Sequence, residues 1–247
     1  AVIKEFLENN VDLIHSYSTP ATIEAHKQTK TIPIVFGSMG DPLASGVVKS
    51  LSSSGTNVTG ISSLSVDLTA KRLEFLIELF TSIKKVAIPF TVTDIPGSKS
   101  VEVAKESALK LGVTIIPYPI TAERGVKETA AVITKKDVDG MIVSADSAVW
   151  ANLTSYIDQA KKENIPFAVF DKDMVEKGGL IGYGPDYFAV GKQAAILANK
   201  ILNGAKPEDL PIESPNKLIL AVNLKTAKEN NFFIPDKFLS KVDLVIK

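Results

Sequence analysis

The sequence of 247 residues predicts an α/β protein built on parallel, doubly wound sheets. Three observations carry this prediction: short, continuously apolar runs recur along the chain, longer segments with helical periodicity separate them, and glycines and prolines mark many of the junctions. Continuously apolar runs are typical of strands that helices cover on both faces. The regular alternation of the two kinds of segment favours parallel sheets.

Eight runs are predicted as strands because they are short, apolar and rich in β-branched residues. They are VDLIHSY (11–17), IPIVFGS (32–38), NVTGISS (57–63), KVAIPFT (85–91), TIIPYPI (114–120), GMIVSAD (140–146), PFAVF (166–170) and GLIGYG (179–184). Six helices are predicted between and after them. They follow Pro20 and Pro42 and span 69–80, 100–112, 149–164 and 188–204.

Periodicity and end signals support these helices. Within 69–80, apolar side chains recur at the i, i+3, i+4, i+7 spacing of a stripe that faces a core. Gly112 and Gly204 stand where helices end, and Pro20 and Pro42 fit a first helical turn.

Eight βα-like units would also fit a closed barrel, for which about 250 residues is typical. Two features argue against the barrel. A strand at 179–184 runs into a long helix and a proline-rich return, and the strand at 85–91 starts a fresh βα series, as a second lobe would. We therefore expect two lobes.

Composition excludes several classes of function. The 28 basic and 28 acidic residues cancel, so we expect no nucleic-acid partner and no membrane-surface role. With no cysteine and two isolated histidines, His15 and His26, we expect no metal and no thiol chemistry. No apolar run is long enough to span a membrane, and the start lacks the features of a signal peptide, so we expect that any export signal has been removed.

Candidate binding residues follow the predicted strands, because ligands of open α/β sheets bind at the carboxyl ends of strands. Ser18 and Thr19, before a helix that Pro20 starts, suit a carboxylate. Five aspartates suit an ammonium group, and aromatic side chains could line an apolar pocket. The aspartates are Asp41, Asp94, Asp146, Asp171 and Asp186, and the aromatic residues are Tyr17, Phe36, Phe90, Trp150, Phe170 and Tyr183. Each has a structural alternative, since such polar residues are helix caps and such aromatic residues often belong to a core.

The motifs of several enzyme classes are missing. The sequence contains no G-x-S-x-G, no Walker-A motif with its lysine and no G-x-G-x-x-G between strand and helix, and we expect no cofactor. Arg72 and Arg124 are the only arginines and suggest no clamp for a ligand carboxylate, so helix ends and hydroxyl groups are the better seat.

Four stretches of the chain resemble the ABC-transporter substrate-binding proteins of the tryptophan/tyrosine-type family, in order and over essentially its whole length. They contain T-P-A after a strand, D-P before G-V-V-K-S-L, N-V-T-G, G-G-L-I-G-Y-G-P-D and N-L-K-T-A. The resemblance implies a type I periplasmic-binding-protein fold, in which two flavodoxin-like (Rossmann-like) lobes with parallel sheets close on a ligand by hinge motion. The first lobe would comprise 1–84 and 187–204, the second 85–183, and residues 205–247 are not assigned.

The resemblance also implies site residues. Ser18 and Thr19 would seat a carboxylate, Ser38 and Asp41 would form a polar loop of the first lobe, and the second lobe and hinge would supply further groups. Those further groups are Asp94, Ser144, Asp146, Asp171 and Tyr183. Tyr17, next to Ser18, completes the predicted set. At 92–97, VTDIPG replaces the Asn-Pro of many relatives, so the resemblance does not fix the ligand.

The function that the resemblance implies is an extracytoplasmic receptor, in the periplasm or as a cell-surface lipoprotein. It would capture a small amino-acid-like ligand, with an aromatic amino acid favoured, in the cleft between its lobes and deliver it to an ABC permease. The alternatives are a ligand-sensing domain of a signalling or regulatory protein on the same fold, and a two-domain α/β enzyme. Relatives carry a further strand and helix before the segment AVIKEFLENN. The resemblance therefore predicts a gap in the first sheet, which a strand from another molecule could fill in a homo-oligomer or by strand exchange.

Overall fold

The structure is a computed structural model that describes residues 2–247. Ala1, where the predicted first lobe begins, lies outside the described residues. The chain divides into two compact units. The first runs to Leu64 and resumes over 185–217, and the second comprises 65–184 and 218–247. The chain therefore passes between the units after Leu64, Gly184 and Lys217.

Strands and helices alternate along most of the described chain. The strands are β1 (Ile14–Ser16), β2 (Ile34–Met39), β3 (Val58–Ser62), β4 (Lys85–Thr91), β5 (Thr114–Ile120), β6 (Gly140–Ile142), β7 (Phe167–Val169), β8 (Ile181–Pro185), β9 (Leu218–Asn223) and β10 (Leu244–Ile246). The helices are α1 (Val2–Glu8), α2 (Thr19–Gln28), α3 (Thr69–Leu79), α4 (Ile95–Leu111), α5 (Val126–Ala131), α6 (Ser147–Ala151), α7 (Leu153–Lys162), α8 (Lys172–Glu176), α9 (Tyr187–Leu202), α10 (Leu224–Glu229) and α11 (Asp236–Leu239). None of the helices within residues 2–247 is long and apolar enough to cross a membrane.

The first unit is built on the parallel sheet β1-β2-β3. Alternate residues of a strand face opposite sides, so Phe36 and Val35 enter different cores. Phe36 packs in the cluster that contains Ala25 of α2, whereas Val35 packs in the cluster that contains Leu197 of α9. Helices therefore cover both faces, as the continuously apolar strand sequences predicted.

The second unit is built on a seven-stranded sheet in the order β10-β9-β8-β7-β6-β4-β5, and every pair with a defined register is parallel. One face carries α3 and α4, where Leu73 packs in one core with Val86. The other face carries α6 and α7, where Tyr156 packs in a second core with Met141. The α/β prediction with parallel sheets is confirmed.

The division of the chain differs from the predicted lobes at residues 65–84. The sequence prediction placed them in the first lobe, but the structure places them in the second unit. Leu73 and Leu76 of α3 are completely buried in the core that contains Val86 and Ile88 of β4. An apolar stripe shows that a helix covers a core but does not show which sheet it covers.

Three predicted helices also differ from the structure. The residues after Pro42 form turns, because the Asp41 side chain accepts from Ala44 N at 2.9 Å and Gly46 has a φ of 71°. The helix predicted over 149–164 is two helices, α6 and α7, that meet at Asn152. The helix predicted from residue 100 begins at Ile95, where Asp94 caps it.

Candidate functional site

Five predicted residues of the first unit gather at the carboxyl edge of its sheet. Tyr17, Ser18 and Thr19 follow β1, while Ser38 is the last but one residue of β2 and Asp41 follows that strand. The Ser18 N–H donates to the Ser38 carbonyl at 3.2 Å, and the Gly40 N–H donates to the Thr19 hydroxyl oxygen at 3.4 Å. The two polar segments are therefore joined directly to each other.

Ser18 has a backbone conformation that residues with a side chain rarely adopt. Its φ is 94° and its ψ is 152°, a region that glycine occupies readily. Its carbonyl accepts from both the N–H and the hydroxyl of Thr22, but its side chain makes no capping hydrogen bond to α2. The first N–H groups of a helix have no partner within the helix and suit an anion. Strain of this kind is typical of ligand-contacting positions.

We expect Ser18→Gly to stabilise the protein by about 1 kcal/mol, since glycine adopts this backbone region without strain. Ser18→Ala keeps the strain and should give no such gain. Thermal unfolding of both variants in the absence of ligand measures the difference. Equal melting temperatures for the two variants would show that the backbone at residue 18 is not strained.

An aromatic pair stands beside this edge. The rings of Tyr17 and Tyr187 meet edge to face, with centroids 6.0 Å apart. Tyr17 lies over β2 at Gly37, where an added Cβ would come within 2.9 Å of the tyrosine ring. Sequence reasoning predicted Tyr17 but missed Tyr187. The signal was available, since Tyr187 opens α9 directly after the G-P-D motif.

The second unit carries its predicted residues at the carboxyl edge of the larger sheet, and two of them are tied into the scaffold. Asp146 is 1% exposed and accepts from the N–H groups of Thr91, Ala148 and Val149. Ser144 is buried and donates to the Pro89 carbonyl at 2.6 Å. These bonds join β4 to the start of α6 and hold the edge together.

Asp171 is a second buried carboxylate at this edge. It caps α8 by accepting from the Met174 N–H at 3.0 Å. Burial raises the pKa of its carboxyl group, while the positive charge of Arg72 acts in the opposite direction. Like Asp146, it serves as a helix cap inside the protein.

Asp94 differs because it is half-buried and less fully hydrogen-bonded. It caps α4 by accepting from the Gly97 N–H at 2.7 Å. Burial raises its pKa to about 6, and the negative charge of Asp146 adds to that increase. A Cβ at Gly97 would lie 2.9 Å from an Asp146 oxygen and 3.0 Å from an Asp94 oxygen. Two carboxylates therefore flank Gly97, and a cation next to Asp94 would be stabilised by both.

Tyr183 lies in the middle of β8, and a buried arginine that sequence reasoning missed holds its backbone. The Tyr183 ring packs edge to face on Phe75, with centroids 5.2 Å apart, and its carbonyl accepts from Arg72 Nε at 2.9 Å. Arg72 is 1% exposed, and its guanidinium lies 4.7 Å from the centre of the Phe170 ring. A signal existed, because Arg72 lies four residues before Leu76 on the buried side of α3.

Solved structures share this architecture. The ABC domain from Streptococcus pneumoniae in complex with L-Trp is 26% identical, with a TM-score of 0.89, and the match covers 99% of this chain and 84% of that one. A substrate-binding protein with adhesive properties from Clostridium difficile, in a ligand-free, open structure, is 29% identical, with a TM-score of 0.72, over 100% of this chain and 81% of that one. The fold is that of the type I periplasmic binding proteins.

The family follows from the sequence. Residues 1–246 match the model of the ABC transporter substrate binding protein family, and the chain belongs to that family. The tyrosine-binding protein of Clostridioides difficile is 28% identical over 229 residues. That match covers 92% of this chain and 65% of the relative, so the chain spans just under two thirds of the relative's length.

Proposed function

We propose that this protein is the extracytoplasmic receptor of an ABC importer and captures a small amino-acid-like ligand, with an aromatic amino acid favoured, for delivery to a membrane permease. Membership of the substrate-binding family supports the receptor role. The relatives named for tyrosine binding and for a complex with L-Trp support the choice of ligand.

The observation that carries this proposal is that each unit, taken by itself, offers polar groups suited to one charge of a zwitterion. The edge of the first unit offers the N-terminus of α2, where the Ser18 hydroxyl makes no capping hydrogen bond to the helix. This arrangement suits a carboxylate. The edge of the second unit offers Asp94, a carboxylate with a raised pKa beside a second negative charge, which suits an ammonium group. An amino acid carries one group of each charge.

The predicted residues then divide by role. We propose that Ser18, Thr19 and Ser38 bind the ligand carboxylate, and that Asp94 binds the ammonium group. We propose that Tyr17, with Tyr187, and Tyr183 contact an aromatic side chain. The four remaining predicted residues shape the edges through their hydrogen bonds. These are Asp41, Ser144, Asp146 and Asp171.

Thermal unfolding with each of the twenty amino acids tests the proposal. A ligand at about 100 times its Kd stabilises the folded state by about 2.7 kcal/mol. We expect L-Trp, L-Tyr or L-Phe to raise the melting temperature by roughly 5–10 °C on that basis. The N-acetyl and amide derivatives of the same amino acid lack one charge each and should give much smaller shifts. If none of the twenty raises the melting temperature, the proposed ligand class is wrong.

A further inference from the structure

Arg72 stands where the chain enters and leaves the second unit. The first connecting segment enters this unit at Ser65, and the second leaves it after Gly184. The Arg72 guanidinium donates to the Ser65 carbonyl at 2.7 Å and to the Tyr183 carbonyl at 2.9 Å. One side chain therefore joins the ends of two segments that are more than a hundred residues apart in sequence.

The core around Arg72 is otherwise built from apolar side chains. Leu76 and Leu79, which lie one and two turns after Arg72 on α3, are aliphatic and pack in this core. A buried guanidinium is costly unless hydrogen bonds and nearby negative charge compensate it. Here two carbonyls, the face of Phe170 and the charge of Asp171 provide compensation. An aliphatic residue would fill the position but could not join the two segments.

In the first unit, a second pair of contacts joins the second connecting segment to the third, which leaves this unit after Lys217. The Asp186 N–H donates to the Lys217 carbonyl at 3.0 Å. The Lys217 ammonium lies 3.3 Å from an Asp186 carboxylate oxygen. Within each unit, two of the connecting segments are therefore bonded to each other. Arg72 forms these bonds in the second unit, and Asp186 and Lys217 form them in the first.

We propose that Arg72 is a positioning residue for ligand capture: it fixes the Ser65 and Tyr183 segments to each other, so that both move as one hinge when the protein closes on its ligand. The inference rests on the proposed function. In a hinge, a few residues next to rigid elements absorb the backbone rotation. Arg72 holds Ser65 and Tyr183 rigidly within the second unit, so the rotation is confined to the residues beyond them. Without the Arg72 contacts, the two segments would become ordered only when the ligand binds, and the free-energy cost of ordering them would weaken binding.

Ligand release from Arg72→Lys measures this role. Lysine keeps the charge but lacks the planar fork that reaches both carbonyls. We expect the dissociation rate of L-tryptophan, followed by stopped-flow fluorescence, to rise about tenfold with a nearly unchanged association rate. Leu76→Ala, on the same helix, is the matched control, because it lowers stability through a cavity and leaves both connecting segments joined. Equal dissociation rates for the two variants would overturn the proposal.

Hydrogen exchange of the ligand-free proteins gives a reading that does not depend on the ligand. We expect amides of residues 62–66 and 182–186 to exchange faster in Arg72→Lys than in Leu76→Ala or the unmodified protein. Uniform loosening of the whole second unit in both variants would reduce Arg72 to a stability residue and contradict the proposal. If L-tryptophan fails to bind the unmodified protein, the proposed ligand is wrong, and the exchange pattern alone decides the role of Arg72.

Discussion

Asp94→Asn is expected to weaken amino-acid binding by roughly 100-fold, because in the proposed site the ligand ammonium loses a partly buried charge partner. The helix cap should survive, since asparagine caps helices as well as aspartate and can still accept from the Gly97 N–H. The ligand-free protein should be at least as stable as before, because the substitution removes a carboxylate that burial and Asp146 disfavour. Calorimetric titration with L-Trp and thermal unfolding measure the two effects.

The pH dependence of binding gives the same prediction a second test. The pKa of Asp94 is raised to about 6, so Asp94 is ionised above pH 6 and protonated below it. The positively charged ammonium prefers the ionised carboxylate, and affinity should therefore fall as the pH falls through about 6. The ligand-free protein shows the opposite trend at this residue: its contribution to stability is greatest below the unfolded-state value of 3.8 and is lost as the pH rises through about 6.

Asp158→Asn is the control, since Asp158 is an exposed carboxylate on α7 and the substitution changes the net charge identically. It should leave both the affinity and its pH dependence unchanged. The Asp94→Asn variant should lose the acid limb of the binding profile near pH 6. If the Kd of Asp94→Asn for the amino acid lies within about twofold of that of the unmodified protein, Asp94 does not bind the ligand ammonium.

The positions of the candidate residues could be predicted from the sequence, but their roles could not. Polar residues that follow parallel strands must meet at one edge of a sheet, which placed Ser18 with Ser38. The same residue types cap helices, and sequence does not distinguish the two uses. In the structure Asp146 accepts from three N–H groups, whereas Asp94 accepts from one and carries a raised pKa, and the proposal that Asp94 contacts the ligand rests on that difference.

The features that sequence reasoning missed depend on contacts between distant segments. Arginine is seldom fully buried, and the partners of Arg72, Ser65 and Tyr183, come together only in the folded unit. The prediction of a helix after Pro42 was wrong for a local reason. Proline in a first turn suits a helix and a turn equally, and the Asp41 side chain with Gly46 selects the turn.

Gly184→Ala is expected to destabilise the second unit by about 3 kcal/mol, since overpacking at this site forces the backbone to move. An added Cβ would lie 2.2 Å from the Phe170 carbonyl oxygen, and a backbone atom cannot rotate away as a side chain can. The strand end of β8 would have to separate from the segment that follows β7. That separation should disturb the contacts of Arg72 with Tyr183 and with the Phe170 ring.

Gly191→Ala is the matched control, because its added Cβ would meet nothing within 4 Å on the exposed side of α9. Alanine is a better helix former than glycine, so this variant should be more stable by about 1 kcal/mol. Thermal unfolding should therefore separate the two variants by roughly 10 °C, with the melting temperature of Gly184→Ala below that of the unmodified protein. An unchanged melting temperature for Gly184→Ala would mean that β8 does not approach Phe170 this closely. The arrangement of Tyr183 and Arg72 at this edge depends on that approach, so it would then have to be revised as well.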